Sequence, residues 1–163
     1  MITGFFNETP PEAESLPGRF LFDLTLTAAP PLDVGNPGRG KARSVMVTGG
    51  VFDGPRLRGE IVGGEDWIIE SSNGVHNLDV RLTLLTTENI PILMRYKGFR
   101  HGPEEVMGRL LRGEPVSPRE HYFRICATFM TGDADLSWLN GGLAIGYGSR
   151  SENSVDYRLY EIL

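Results

Sequence analysis

Apolar and polar residues alternate without a break from residue 78 to residue 84. Alternation with a period of two predicts a β-strand, because successive side chains of a strand point to opposite faces of its sheet. One face carries only leucine and valine, and the other carries Asp79, Arg81 and Thr83. In a closed barrel this polar face can line a pocket, whereas in an open sheet it is an ordinary solvent-exposed ion pair.

Short alternating segments recur along the whole chain, and long amphipathic helices are nearly absent. Clusters of turn-forming residues separate these segments, for example Gly63-Gly64, and the chain contains 21 glycines and 11 prolines. This spacing predicts an antiparallel all-β fold, a barrel or a sandwich, and no linker divides the single domain expected over residues 1–163. The predicted strands are residues 19–27, 42–52, 57–62, 66–71, 77–85, 91–97, 122–129, 142–147 and 155–161.

Two regions depart from the alternating pattern. Residues 28–41 hold three prolines and three glycines in one long connection, which is either a surface loop or a lid. From Pro103 to Gly113 the chain has a proline and two glutamates at the start, apolar residues at helical spacing and a closing glycine. These signals predict one short helix that plugs or flanks a barrel end.

Composition narrows the functional classes. The 163 residues are 40% hydrophobic and 23% charged, and no apolar run approaches the roughly 20 residues of a membrane helix. The first residues do not resemble a secretory signal, so we expect a cytoplasmic protein with no membrane partner. A net charge of -5 disfavours nucleic acid as a partner, and a small molecule fits better.

Signals for cofactors and metals are missing from the sequence. There is a single cysteine, no Cys/His cluster has zinc-site spacing, and the spacing of the three histidines specifies no metal centre. The glycine pairs do not join a strand to a helix as a nucleotide-binding loop requires. We therefore expect neither a metal nor a cofactor.

A second strand, residues 122–129, repeats the pattern of residues 78–84 and places Tyr122 and Arg124 on its polar face. If both polar faces point into one barrel, they form with Tyr96 a cavity of charged and aromatic side chains. Such an interior requires mutual pairing of its charges, and it would bind a phenolate or an enolate. The alternative is that these residues face solvent.

The order of several short motifs resembles domain-of-unknown-function family 3237, from about Phe20 to the C-terminus. The motifs, in order, are Gly54-Pro55, Gly59-x-x-x-Gly63-Gly64, Asp66-Trp67, Asn73-Gly74, Leu78-Asp79-x-Arg81, Gly98-x-Arg100-His101-Gly102-Pro103, Gly113-Glu114-x-Val116-x-Pro118, Tyr122-Phe123-Arg124 and Trp138-Leu139-Asn140. In one respect the chain departs from the family pattern: Leu82 follows Arg81, where an aromatic residue is usual.

This resemblance implies a β-barrel similar to the allene oxide cyclase and dirigent barrels, with a pocket inside it. With this resemblance, Asp79, Arg81 and Arg124 are expected to line the pocket and not to face solvent. Members of the family occur among tailoring proteins of aromatic polyketide pathways, and one closes an ether ring by adding a phenol hydroxyl to a prenyl double bond. The implied function is a cofactor-independent cyclase or isomerase acting on a small hydrophobic aromatic substrate.

Protonating an alkene needs an acid in a dry site, where burial raises the pKa of a carboxyl group. Asp79 and Asp66 are the candidates, but an aspartate paired with Arg81 would have a lowered pKa and be a poor acid. If Arg81 neutralises Asp79, the acid must be another group, such as Asp66, Glu60 or a tyrosine.

The other candidate residues are predicted to bind the phenol hydroxyl or the aromatic ring of the substrate. Arg81 and Arg124 are predicted to orient and stabilise the phenolate. Tyr96 and Tyr122 are candidates to relay a proton or cover the substrate. The predicted substrate contacts also include Asp66 and Arg100, and either Trp67 or Trp138 stacked on an aromatic ring.

Two other functions remain open at this point. The same barrel can bind a small ligand without changing it, as many barrels do. Alternatively the chain is mainly a scaffold, since apolar strand faces are often covered by neighbouring subunits, and we expect a homo-oligomer in either case.

Overall fold

The computed structural model describes residues 16–151 and 154–163, and it places them in one antiparallel sheet, one α-helix and one 3-10 helix. The α-helix lies between the sixth and seventh strands, and the 3-10 helix lies between the seventh and eighth strands. The elements are β1 (Gly18–Ala28), β2 (Leu32–Gly35), β3 (Lys41–Asp53), β4 (Arg58–Glu70), β5 (His76–Thr86), β6 (Pro91–His101), α1 (Glu104–Leu111), β7 (Tyr122–Met130), the 3-10 helix (Ser137–Gly141), β8 (Ala144–Arg150) and β9 (Val155–Ile162).

The sheet closes on itself through its first strand. Strand β1 pairs with β9 on one side and with β3 on the other, and strands β3 to β9 follow one another in sequence order. Eight strands therefore form a closed antiparallel barrel, and the short β2 pairs with the first residues of β3. The predicted all-β barrel with one short helix is confirmed.

Closure makes one face of every strand an interior face. In β5 the leucine and valine face points inward and is 0–4% exposed, as the alternation predicts. The interior is filled mainly at one end, where Phe22 packs against Phe52 and Phe129 with ring centroids 5.4 Å and 6.0 Å apart. Leu139 of the 3-10 helix is buried against the same core.

The prediction of two short strands separated by a turn at Gly63-Gly64 is wrong. Residues 58–70 form one strand, β4, whose pairing with β5 shifts register between Ile61 and Gly63. A Cβ at Gly64 would lie 2.1 Å from the carbonyl oxygen of Arg81 on β5. The glycine at position 64 therefore permits a close strand approach inside the sheet.

The end of the barrel opposite Phe52 carries α1 and the long connection between β1 and β3. Helix α1 begins after Pro103 as predicted, and Val106 and Leu110 pack with Val116 in a small separate apolar cluster. The connection over residues 28–41 contains β2. In the described part of the chain, no helix is long and apolar enough to cross a membrane.

Candidate functional site

A cavity of about 480 Å³ occupies the barrel end at which β1, β4, β6 and β8 finish. Its wall is mostly apolar, but eight side chains with ionisable or hydroxyl groups line it among that apolar surface. The lining residues are Leu26, Ala28, Ala29, Pro30, Pro31, Arg43, Val45, Val47, Asp66, Ile68, Leu78, Tyr96, Arg100, Leu111, Phe123, Arg150, Ser151, Ser154, Val155 and Tyr157.

Asp66 brings a carboxyl group into this cavity. It lies on β4 between Val45 of β3 and Val80 of β5, in phase with the inward face of the sheet. Its Oδ1 atom is buried and has no hydrogen-bond partner among the described residues. Burial raises the pKa of Asp66 to about 7, although the positive charge of Arg100 acts in the opposite direction. Near neutral pH a large fraction of Asp66 therefore carries a proton.

Two buried tyrosines form the floor beside it. The hydroxyl of Tyr96 donates a hydrogen bond to the hydroxyl of Tyr157 over 3.4 Å, and their rings meet edge to face at 5.3 Å. Burial raises the pKa of both phenols, so both stay neutral. Asp66 and Tyr96 belong to one register row, two strands apart, which separates their backbones by roughly 10 Å.

Three arginines surround the cavity nearer the strand ends. Arg100 is 6% exposed, and its guanidinium carbon lies 5.4 Å from the centroid of the Phe123 ring. Burial, followed by the charge of Arg150, lowers the pKa of Arg100 to about 10. Arg43 donates a hydrogen bond to Glu70 Oε2 over 3.0 Å.

His76 lies behind these arginines. It is 4% exposed, and neither ring nitrogen has a hydrogen-bond partner among the described residues. Its Nε2 lies 3.7 Å from Glu70 Oε2. Burial, helped by the charges of Arg100 and Arg43, lowers the pKa of His76 to about 4, so the ring is neutral at physiological pH.

The placement predicted for Asp79 and Arg81 is wrong. Both lie on the outer face of β5, because closure of the barrel turns the leucine face of that strand inward. Asp79 Oδ2 lies 3.5 Å from Arg95 and 3.9 Å from Lys97, and the side chain of Arg81 is exposed. Asp79 forms surface ion pairs, and neither Asp79 nor Arg81 lines the cavity.

Tyr122 and Arg124 are also outside, for the same reason. The guanidinium of Arg124 stacks on the rings of Tyr147 and Tyr122, 4.3 Å and 5.2 Å from their centroids. Trp67 is 63% exposed on the outer face of β4. Trp138 lies beneath Arg56 at the opposite barrel end, with the guanidinium carbon 3.9 Å from its ring.

Of the nine residues predicted from the sequence, the structure brings together Asp66, Tyr96 and Arg100. It adds Arg43 and Arg150, together with Tyr157. The added residues share one signal: each polar side chain stands in phase with the apolar positions of its strand. A polar residue that interrupts an apolar face is a better indicator of the cavity than a continuous polar face.

The structure therefore defines a small β-barrel with a partly enclosed, acid-bearing cavity at one end. The family model described as a protein of unknown function (DUF3237) matches residues 17–162, so the chain belongs to this family. This confirms the family resemblance found in the sequence.

Relatives in bacteria have the same fold. A UPF0311 protein of Rhodopseudomonas palustris is 28% identical over 150 residues, which are 91% of this chain and 98% of the relative. Its crystal structure, described as that of a conserved protein of unknown function, gives a TM-score of 0.86 over 93% of this chain and all of that one. A β-barrel like protein of Acinetobacter baumannii is 33% identical, with a TM-score of 0.81 over 97% of this chain and 100% of that one.

A fungal protein is a more distant structural neighbour. The crystal structure of a Penicillium herquei protein described as an enzyme gives a TM-score of 0.70 at 19% identity, covering 95% of this chain and 100% of that chain. At this identity the likeness concerns the fold.

Replacing Asp66 tests its pKa through the pH dependence of stability. A carboxyl whose pKa is raised on folding stabilises the native state less as pH rises from about 4 to about 7, because only the unfolded state releases its proton there. The free energy of unfolding of Asp66→Asn, minus that of the unmodified protein, should therefore rise by about 1.4 kcal/mol per pH unit in this window. Urea unfolding at several pH values measures it.

The ionisation of His76 changes stability with pH in the opposite direction, so it must be separated from that of Asp66. Because folding lowers its pKa to about 4, stability contributed by His76 rises with pH between about 4 and 6.5. Taking the difference between the two proteins cancels this contribution. A difference that stays constant with pH would show that Asp66 ionises normally in the folded protein.

Proposed function

We propose that this barrel is a cofactor-independent cyclase or isomerase for a phenolic or prenylated aromatic compound, with Asp66 as the general acid. The observation that carries the proposal is a buried carboxyl, raised in pKa to about 7, with an unpartnered oxygen in an apolar cavity. Such a group can hold a proton at neutral pH and release it to a bound molecule.

The reaction that fits this acid is intramolecular addition of a phenol hydroxyl to an alkene. The proton of the Asp66 carboxyl forms a C–H bond at one alkene carbon, using the π electrons, and the other carbon becomes cationic. The phenol oxygen then forms a C–O bond at the cationic carbon, and its proton returns to the Asp66 carboxylate. Product and substrate are isomers, so no oxidant, reductant or co-reactant is needed.

The surroundings of Asp66 match both halves of this cycle. The apolar wall favours the neutral acid before proton transfer, while Arg100 stabilises the carboxylate that exists after it. Tyr96 and Tyr157 present a pair of neutral hydroxyls that can donate to or accept from the phenol and so orient it. The likeness to the P. herquei protein described as an enzyme supports a catalytic use of the fold.

Replacing the carboxyl of Asp66 should slow conversion strongly. Ring closure of 2-prenylphenol to the isomeric 2,2-dimethylchroman, followed by liquid chromatography with mass spectrometry, provides the assay, together with a panel of larger prenylated phenols that includes compounds bearing a carboxylate. Asp66→Asn should lower the rate by about 10² to 10⁴, the usual contribution of a general acid. Asp53→Asn, which changes an exposed carboxyl at the far end of β3, is the matched control and should keep the original rate.

Solvent deuterium tests the same step independently. In D₂O the exchangeable proton of Asp66 becomes deuterium, so the product should contain one deuterium bound to carbon. If the unmodified protein converts none of the panel and returns every bound compound unaltered, the barrel is a binding protein and the enzymatic proposal is contradicted.

The tyrosine pair should affect orientation of the substrate. Tyr96→Phe and Tyr157→Phe each remove one hydroxyl of a hydrogen bond worth about 1 kcal/mol, so we expect each to lower kcat/KM by roughly fivefold to tenfold. Tyr147→Phe, on the outer face, serves as the control. Equal kinetics in all three variants would exclude a role for the pair.

A further inference from the structure

The three cavity arginines form a cluster of like charges that few acidic groups among residues 16–151 and 154–163 offset. Arg150 and Arg43 both lower the pKa of Arg100, and Arg43 also lowers that of Arg150, so the three guanidinium groups repel one another. Glu70 forms an ion pair with Arg43. Asp66, the carboxyl group that faces the cavity with them, has a pKa raised to about 7 and therefore carries only part of a negative charge near neutral pH.

Arg100 is the most buried member of this cluster. It is 6% exposed, its Nε is buried, and within the described ranges its guanidinium makes no hydrogen bond and no salt bridge. A buried charge without a partner strongly destabilises a protein, and structures normally supply a counter-ion or a hydrogen-bond acceptor. The Nε of Arg43 is also buried, and it has no hydrogen-bond partner in the part of the chain that the structure describes.

The positions of these arginines along the strands separate them from the acid. Arg100 lies four residues beyond Tyr96 on β6, and Arg43 lies two residues from Val45, the register partner of Asp66. The arginines therefore form a layer nearer the open end, while Asp66 and the tyrosines lie deeper. A molecule that fills both layers needs an anionic group at one end and an apolar body at the other.

We propose that the substrate carries a carboxylate, and that Arg100, Arg43 and Arg150 bind it at the outer layer of the cavity. This inference rests on the proposed function in taking the cavity as the substrate site. A planar carboxylate matches the paired N–H donors of a guanidinium, and it supplies the acceptors that Arg100 lacks. The apolar part of the substrate then lies beside Asp66, where the reacting bond must be.

A matched pair of probes isolates the carboxylate. Binding of 2-naphthoate and its neutral analogue 2-naphthamide is measured by isothermal titration calorimetry at about pH 6, where Asp66 is protonated and naphthoate is ionised. The unmodified protein should bind naphthoate at least about tenfold more tightly, and Arg100→Met should remove this preference. Arg81→Met, which removes an exposed arginine, should retain it.

Several results would overturn the proposal. They are equal affinity of the unmodified protein for the two probes, no binding of naphthoate up to about 1 mM, or a preference that survives in Arg100→Met. Tighter binding of naphthyl phosphate than of naphthoate would overturn the assignment to a carboxylate.

Thermal unfolding shows whether the Arg100→Met variant is still folded. Without ligand, the melting temperature of Arg100→Met should equal or exceed that of the unmodified protein, because methionine keeps an apolar stem and removes a buried charge that the described residues do not pair. Naphthoate should raise the melting temperature more than naphthamide does only where Arg100 is present. A lower melting temperature in ligand-free Arg100→Met would contradict the claim that this charge is uncompensated.

Failure of this inference can be told apart from failure of the proposed function. Asp66→Asn should keep the preference for naphthoate while losing conversion. A preference that depends on Arg100, in a protein whose conversion does not depend on Asp66, would retain the carboxylate site and reject the acid. The reverse result would retain the acid and reject the carboxylate site.

Discussion

Closure of the sheet between β1 and β3 is the constraint on which the other features depend. Once the barrel is closed, one face of each strand is inside, and every residue in phase with the apolar positions is removed from water. One end of the interior is filled by phenylalanine and leucine side chains. At the other end polar groups replace apolar ones at inward positions, and a cavity remains between them. The location of the site thus follows from strand phase.

The same removal from water sets the protonation states inside the cavity. Burial is the largest influence on the pKa of Asp66, of His76 and of Arg100, and in each case it favours the neutral form. The carboxyl is shifted into the physiological range, the imidazole is held neutral, and the guanidinium remains charged because its ordinary pKa is so high. An acid and a cation that no described residue pairs therefore share one cavity, which suits the proposed substrate with an anionic end and a reactive apolar end.

Much of the fold could be predicted from the sequence, because alternation, turn residues and the helix signals after Pro103 are local. The single strand through Gly63 and Gly64 could not, since the reason for glycine there is the approach of β5, which is distant along the chain. The site was predicted in part. Asp66, Tyr96 and Arg100 line the cavity, whereas the face of Asp79 and Arg81 points outward, because alternation identifies two faces without saying which one the closed sheet encloses.

The most direct test of this account is the pKa of Asp66 in the ligand-free protein. Carbon-13 NMR of the aspartate side-chain carboxyl groups, followed across the pH range, reports each ionisation, and the Asp66→Asn variant assigns the resonance. We expect a midpoint near 7 for Asp66. A midpoint near the ordinary value of about 4 would mean that the cavity holds an ionised carboxylate paired with its arginines, and it would remove the acid on which the proposed chemistry depends.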